Sequence, residues 1–284
     1  MALRAKKPTN KTKRLKLFMY GDAGVGKTTA GLQLPMPYII DAERGTENYH
    51  KKINKVGGAV FNTTDILEVI EEVRKLSTEE HGFKTLVIDP ITPLYFDLID
   101  KCELEVGSEF GRHYGEANKY MKRLINLIMR LDMNVVVTAH AKVVYGDDMK
   151  KLGITFDGWK KLDYIFDLVL ELRKQTPTKR YAKVVKTRIE SFPDGETFEW
   201  NYDSLTERFS QAELERDVDI ITTANAAQVK EIETLSEKLV DGDDFVAACL
   251  RKAGVQQLLD LTEVQAQKVI DHFIKSLEPV GATK

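Results

Sequence analysis

Apolar residues in this chain follow two alternating patterns. Four short runs, LKLFMY (15–20), PYIID (37–41), TLVID (85–89) and NVVVTAH (134–140), are nearly continuously apolar. Strands covered on both faces read this way, because neither side meets water. Between them, apolar positions recur at helical spacing over 27–34, 65–76 and 116–131. The alternation predicts an α/β fold with a mostly parallel, doubly wound sheet. Three later segments, 167–173, 180–190 and 196–200, are separated by turns containing Pro177 and Pro193-Asp194-Gly195. They predict antiparallel strands that extend the sheet.

The pattern weakens over a polar, acidic stretch near 203–224 and then returns with a helical period. Asn225 with Gln228, and Thr262 with Gln265, have capping-box spacing, and Gly254 has the character of a helix C-cap. The expected organisation is a basic arm (1–13), an α/β core (14–205), a linker (206–224) and a small C-terminal helical domain (225–279).

Composition narrows the class. Of 284 residues, 43% are hydrophobic, enough for a packed core and too many for a disordered chain. The two cysteines, Cys102 and Cys249, are far apart, which argues against a disulfide scaffold or zinc site and for a reducing compartment. No apolar run approaches the ~20 residues that span a bilayer. The first residues lack an apolar leader, so the expectation is a cytoplasmic protein with no membrane partner. The net charge of −2 suggests no nucleic-acid partner, but Arg4, Lys6, Lys7, Lys11, Lys13 and Arg14 crowd the start without an acid. Such an arm either contacts phosphate backbones or is a solvated terminus.

The chemistry is concentrated in Gly21-Asp22-Ala23-Gly24-Val25-Gly26-Lys27-Thr28, followed by Thr29. This matches G-x-x-x-x-G-K-[ST] between a predicted strand and a predicted helix, the context a phosphate loop needs. Phosphates must approach backbone N–H groups closely, so side chains are small and glycine supplies unusual dihedrals. Lys27 would reach the β- and γ-phosphates of ATP, and Thr28 would ligate Mg²⁺. Asp89, the acid ending the third apolar run, would hold Mg²⁺ through water, since strand ends in open α/β sheets are where ligands sit.

Further stretches support a family resemblance. Tyr38-Ile39-Ile40-Asp41-Ala42-Glu43, followed by Tyr49, resembles the strand of RecA-type recombinases that ends Asp-Ala-Glu. Asn134 to His140 resembles the strand whose last polar residue senses the γ-phosphate, where RecA itself has glutamine. The order and spacing of these stretches over about 14–200 are similar to a RecA-like core without RecA's N-terminal polymerisation domain. The short phage-encoded RecA-like ATPases of single-strand annealing recombination are the most similar group. The resemblance implies that Glu43 activates the attacking water and that His140 senses the phosphate. It gives Tyr49 two readings, stacking on the base or packing.

The same resemblance implies that Lys186 and Arg188 reach a neighbouring subunit's γ-phosphate, in a homo-oligomer with sites at subunit interfaces. An exposed basic strand face is the other reading. Two segments resemble by position the family's DNA-binding loops. One lies between Asp89 and the 116–131 helix and contains Arg112, His113 and Tyr114; the other is 142–158, with Lys142, Tyr145, Lys150, Lys151 and Phe156. Cations that track a backbone and rings that stack on bases suit single strands, although polar surface loops read similarly. The leading expectation is a Mg²⁺-dependent ATPase that binds single-stranded DNA and assists annealing or strand pairing in phage recombination. The C-terminal helices would recruit a partner such as a single-strand-binding protein, or cap the core. Alternatives are a helicase- or loader-type motor, and a nucleotide-gated annealing scaffold that does not hydrolyse.

Overall fold

The structure, a computed structural model, describes Ala5 and residues 13–277. The predicted basic arm therefore lies almost wholly outside the described residues. In chain order the elements are β1 (Lys16–Gly21), α1 (Lys27–Gly31), β2 (Pro37–Asp41), α2 (His50–Lys55), β3 (Ala59–Asn62), α3 (Ile66–Thr78), β4 (Thr85–Asp89), α4 (Ile91–Val106), α5 (Arg112–Arg130), β5 (Asn134–Tyr145) and β6 (Lys151–Asp157). They continue with α6 (Leu162–Ile165), β7 (Leu168–Lys174), β8 (Arg180–Thr187), β9 (Thr197–Glu199), α7 (Tyr202–Arg208), α8 (Gln211–Glu215), α9 (Ala226–Ser236), α10 (Gly242–Ala253) and α11 (Glu263–Leu277).

The residues divide into two compact units. The first holds the chain up to Asn62, Phe83–Thr92 and Met133–Val218; the second holds Thr63–Gly82, Pro93–Asp132 and the chain from Asp219. The first contains the whole nine-stranded sheet, ordered β3-β2-β4-β5-β1-β7-β8-β9, with β6 pairing β5. Strands β3 through β7 of this order run parallel, and β8 and β9 are antiparallel extensions, as the sequence predicted. By contrast β7, expected among the antiparallel strands, joins β1 in parallel, and β6, expected as part of a loop, pairs β5 antiparallel. Strands β1 and β4 are buried along their whole length, which is why they read as unbroken apolar runs. Leu17 and Met19 of β1 join an apolar cluster that includes Leu34, Val184, Phe192 and Phe198. Phe18 and Tyr20, alternating with them, meet Phe156 and Phe166.

Helix α1 is five residues long, shorter than the predicted 27–34. A methyl carbon on Gly31 would lie 2.9 Å from Val87 Cγ1, so the helix needs glycine there to sit against β4. Pro35 then disfavours helix at Leu34. The stretch 206–224, expected as a linker, contains the end of α7 and all of α8, whose Leu214 is fully buried. Asn201 and Ser210 cap these two helices by accepting from Ser204 and Glu213 N–H groups.

In the second unit α3 starts on Asp65, whose carboxylate accepts from Leu67 N–H. The segment after Asp89 is not the loop expected there. It is helix α4, with Ile91, Leu94, Leu98 and Cys102 buried at helical spacing. Pro90 and Pro93 hid it, although proline is tolerated in a helix's first turn. Arg112, His113 and Tyr114 are the first turn of α5, with His113 buried against Tyr114, so they form no DNA loop.

Helices α9 to α11 share an apolar cluster centred on Ile232, Leu261, Ile270 and Phe273. Both predicted capping boxes are present, and Gly254 caps α10 at φ 70°. The same compact unit also holds α3 and α5. Arg123 pairs with the buried Asp260 at 3.1 Å, and Arg130 donates to the Asp260 carbonyl. Among the described residues no helix is long and apolar enough to cross a membrane.

Candidate active site

The C-terminal ends of β1, β2 and β4 meet the middle of β5, at His140, in the first unit. Register pairs Gly21 with His140 and Asp41 with Asp89, so four separate motifs arrive at one edge of the sheet. There they line a pocket of about 520 Å³ with Lys27, Thr28, Glu43 and Tyr49.

The loop 21–28 is built as its composition demands. Gly24 and Gly26 have φ of 71° and 95°, the left-handed region that favours glycine. Gly21 leaves no room for a side chain, since a methyl there would lie 2.5 Å from the Leu172 carbonyl. Val25 is buried and turns into the core cluster, anchoring the loop. Lys27 Nζ donates to the Gly21 and Asp22 carbonyls at 2.8 and 3.0 Å. Burial holds its pKa below the usual lysine value, against the pull of Asp89, Glu43 and Asp22.

Asp89 is 4% exposed. It accepts from Thr138 Oγ1 at 2.5 Å and is hydrogen-bonded to Thr28. Burial raises its pKa, and Asp41 adds to the rise; Thr138, Thr28 and Lys27 oppose it. A hydroxyl and a carboxylate side by side suit Mg²⁺, which binds through one or two protein ligands plus phosphate oxygens and waters. Among the described residues no group of three or more His, Cys, Asp or Glu is arranged to hold a metal alone.

Glu43 and His140, read separately from the sequence, form a pair: His140 Nε2 lies 2.9 Å from Glu43 Oε1. Asp41 shapes the turn that presents Glu43. Its carboxylate accepts from Glu43 N, Gly45 N, Thr46 N and Thr46 Oγ1, at 2.6 to 3.1 Å. Arg44 adopts φ 57° within this turn. The His140 amide donates to Thr92 Oγ1 at 2.9 Å, which in turn donates to the Asp157 carbonyl at 2.8 Å. Thr138 and His140 alternate on β5, so one strand face serves both Asp89 and Glu43. Asp41, Thr92, Thr138 and Arg180, which also lines the pocket, were not legible as site residues. Of these, only Thr138 had a sequence signal, since it lies two residues before His140 and so on the same strand face.

Tyr49 lines the pocket and is also packed, partly buried, against the core cluster. Lys186 and Arg188 are elsewhere. Lys186 pairs with Val169 near the start of β7, the sheet edge opposite the phosphate loop. Lys186 donates to the Tyr164 and Phe166 carbonyls, and Arg188 pairs with Asp167 at 3.1 Å. Burial, then Arg188, lowers the Lys186 pKa. The segment 142–158 is mainly a β-hairpin, since β5 runs past His140 to Tyr145 and β6 returns from Lys151.

A glycine cradle, a lysine beneath it and a buried strand-end aspartate bonded to the following threonine define a P-loop ATPase. The chain belongs to the AAA domain family, whose model matches residues 13–195. No curated protein matches the chain.

Proposed function

We propose that this P-loop protein hydrolyses ATP with Mg²⁺, binds single-stranded DNA and assists annealing or strand pairing during phage recombination. The loop amides and Lys27 bind the triphosphate. Thr28 and Asp89 would hold Mg²⁺, which would supply neutralisation of phosphate charge. Glu43 accepts the proton of the attacking water, and His140 holds that carboxylate in place. A second copy's Lys186 and Arg188 complete the site if their present carbonyl and Asp167 contacts are exchanged for phosphate.

The observation that carries this reading is the Glu43–His140 pair, whose His140 sits on the strand that continues into the β5–β6 hairpin. That hairpin exposes Tyr145, Met149 and Leu152 beside Lys142, Lys150 and Lys151. One exposed ring and several cations of this kind can stack on a base and track a backbone, whereas Phe156, also expected to stack, is buried against Phe18 and Tyr20. Phosphate state at His140 therefore reaches the DNA-binding arm through one strand.

ATP turnover with and without single-stranded DNA, across a salt series, tests the proposal. DNA should raise turnover, and the stimulation should fade as salt rises. Lys27→Ala should abolish hydrolysis, and undiminished turnover in it defeats the site assignment. Glu43→Gln should bind ATP without turning it over. No effect of DNA at any salt removes the DNA half of the proposal. Directional unwinding would point to a motor, and annealing indifferent to Glu43→Gln to a scaffold.

A further inference from the structure

We propose that Arg180 is a nucleotide-binding residue supplied by the chain's own β8, gripping the non-transferred phosphates from the flank of the loop opposite Glu43 and Asp89. The inference rests on the nucleotide-site reading above and adds a binding group to it.

Arg180 lines the same pocket as Lys27 and Thr28. It pairs with Lys174 at the end of β7, on the edge of the sheet where β1 delivers the phosphate loop. Its guanidinium lies against that loop: a methyl carbon on Gly26 would be 2.6 Å from Arg180 Nε and 2.9 Å from Thr29 Oγ1. Nη1 is held from behind by the Thr176, Pro177 and Lys179 carbonyls at 3.2 to 3.5 Å. The inner edge is different, since Nε is buried and has no hydrogen-bond partner. Neighbouring cations of the hairpin do have carboxylates, Arg173 with Glu171 and Lys179 with Glu199. Among the described residues no carboxylate pairs with Arg180.

A buried guanidinium N–H without an acceptor is costly, and it calls for an anion. The planar fork fits phosphate geometry better than an ammonium does. Strand order decides which phosphates. Glu43 and Asp89 come from β2 and β4 on one flank of β1, whereas β8 lies beyond β7 on the other. With the transferred phosphate facing Glu43, Arg180 beside Gly26 and Thr29 holds the other end of the polyphosphate. On the α-phosphate, away from the bond that breaks, such a contact is about equally strong before and during phosphoryl transfer, so it affects binding and leaves the chemical step alone.

The full chain is assayed as wild type, Arg180→Met, Arg180→Gln, Arg180→Lys and Lys27→Ala, with circular dichroism melts as the folding check. Mg·ADP and a non-hydrolysable ATP analogue are titrated, and steady-state ATP turnover is measured. The two neutral variants should weaken ADP and the analogue alike, by about 10- to 100-fold, the range of one charge-assisted contact. KM should rise by the same factor with kcat unchanged within about twofold, and Arg180→Lys should recover part of the loss. Either folded neutral variant suffices. ADP binding equal to wild type overturns the inference, as does a loss confined to kcat. If Lys27→Ala loses nucleotide while the Arg180 variants keep it, the site reading stands and Arg180 has no part in it. If folded wild type binds no nucleotide, both fall together.

Discussion

Asp89→Asn should make the nucleotide-free protein more stable while removing its activity. Asp89 is buried, and its register partner Asp41 on β2 is buried too. Burial is the main cost of charging Asp89, and Asp41 on the neighbouring strand, about 5 Å away at the backbone, adds a repulsion of at most about 3 kcal/mol at an effective dielectric near 20. Lys27 offsets part of this, and Asp41 is held by the four hydrogen bonds its carboxylate accepts. A net gain of about 1–2 kcal/mol for asparagine corresponds to roughly 2–6 °C in melting temperature for units of this size. Asparagine keeps an oxygen for the Thr138 hydroxyl and offers its NH2 to the Thr28 hydroxyl oxygen, so the exchange removes charge without orphaning either partner.

The sign with pH follows from the raised pKa of Asp89. A carboxyl that holds its proton more tightly when folded stabilises the fold at acid pH, and that stability is lost as pH rises through the folded value. The advantage of Asp89→Asn should therefore be largest near neutrality and shrink toward pH 4. Differential scanning fluorimetry without nucleotide at several pH values reads this directly. A variant melting at or below wild type at pH 7.5, or an advantage that grows on acidification, refutes the reasoning. ATP turnover should fall by about 100-fold or more, because the proposed Mg²⁺ site would lose its carboxylate.

Asp41→Ala should cost about 2–4 kcal/mol in the first unit, since four donors lose their shared acceptor. It should also lower kcat more than nucleotide affinity, which comparison of turnover with ADP binding would reveal. Asp260→Ala should destabilise the second unit by about 3–5 kcal/mol by leaving Arg123, itself 14% exposed, without its partner. Thermal denaturation should show that loss with nucleotide binding in the first unit intact. His140→Ala should preserve ATP binding, reduce turnover and weaken stimulation by DNA, because Glu43 loses its 2.9 Å contact. Equal stimulation in the variant and the wild type would show that His140 does not link the pocket to the hairpin.

Local chemistry was legible wherever it depended on neighbours in the chain. The glycines of 21–26 announce left-handed dihedrals and close approach, and the apolar runs of β1, β2, β4 and β5 announce burial on both faces. The capping boxes of α9 and α11 and the Gly254 cap are equally local, set by spacings of three residues or by one dihedral. Helix α4 was obscured because prolines at 90 and 93 resemble loop punctuation, although its buried positions already had a helical period.

By itself, then, the sequence determined most of the elements, with α4, β6 and α8 the exceptions, and which loop has the glycine pattern of a phosphate cradle, since periodicity, dihedral freedom and capping act over a few residues. Only the tertiary structure decided which side chains work together. Glu43 and His140 are almost a hundred positions apart in the chain, and Arg180 lies further still from Gly26. Their meeting follows from strand order and parallel register, which carry distant strand ends to one edge of the sheet. The same register sends Lys186 and Arg188 to the opposite edge, because an antiparallel strand delivers its two ends to opposite sides.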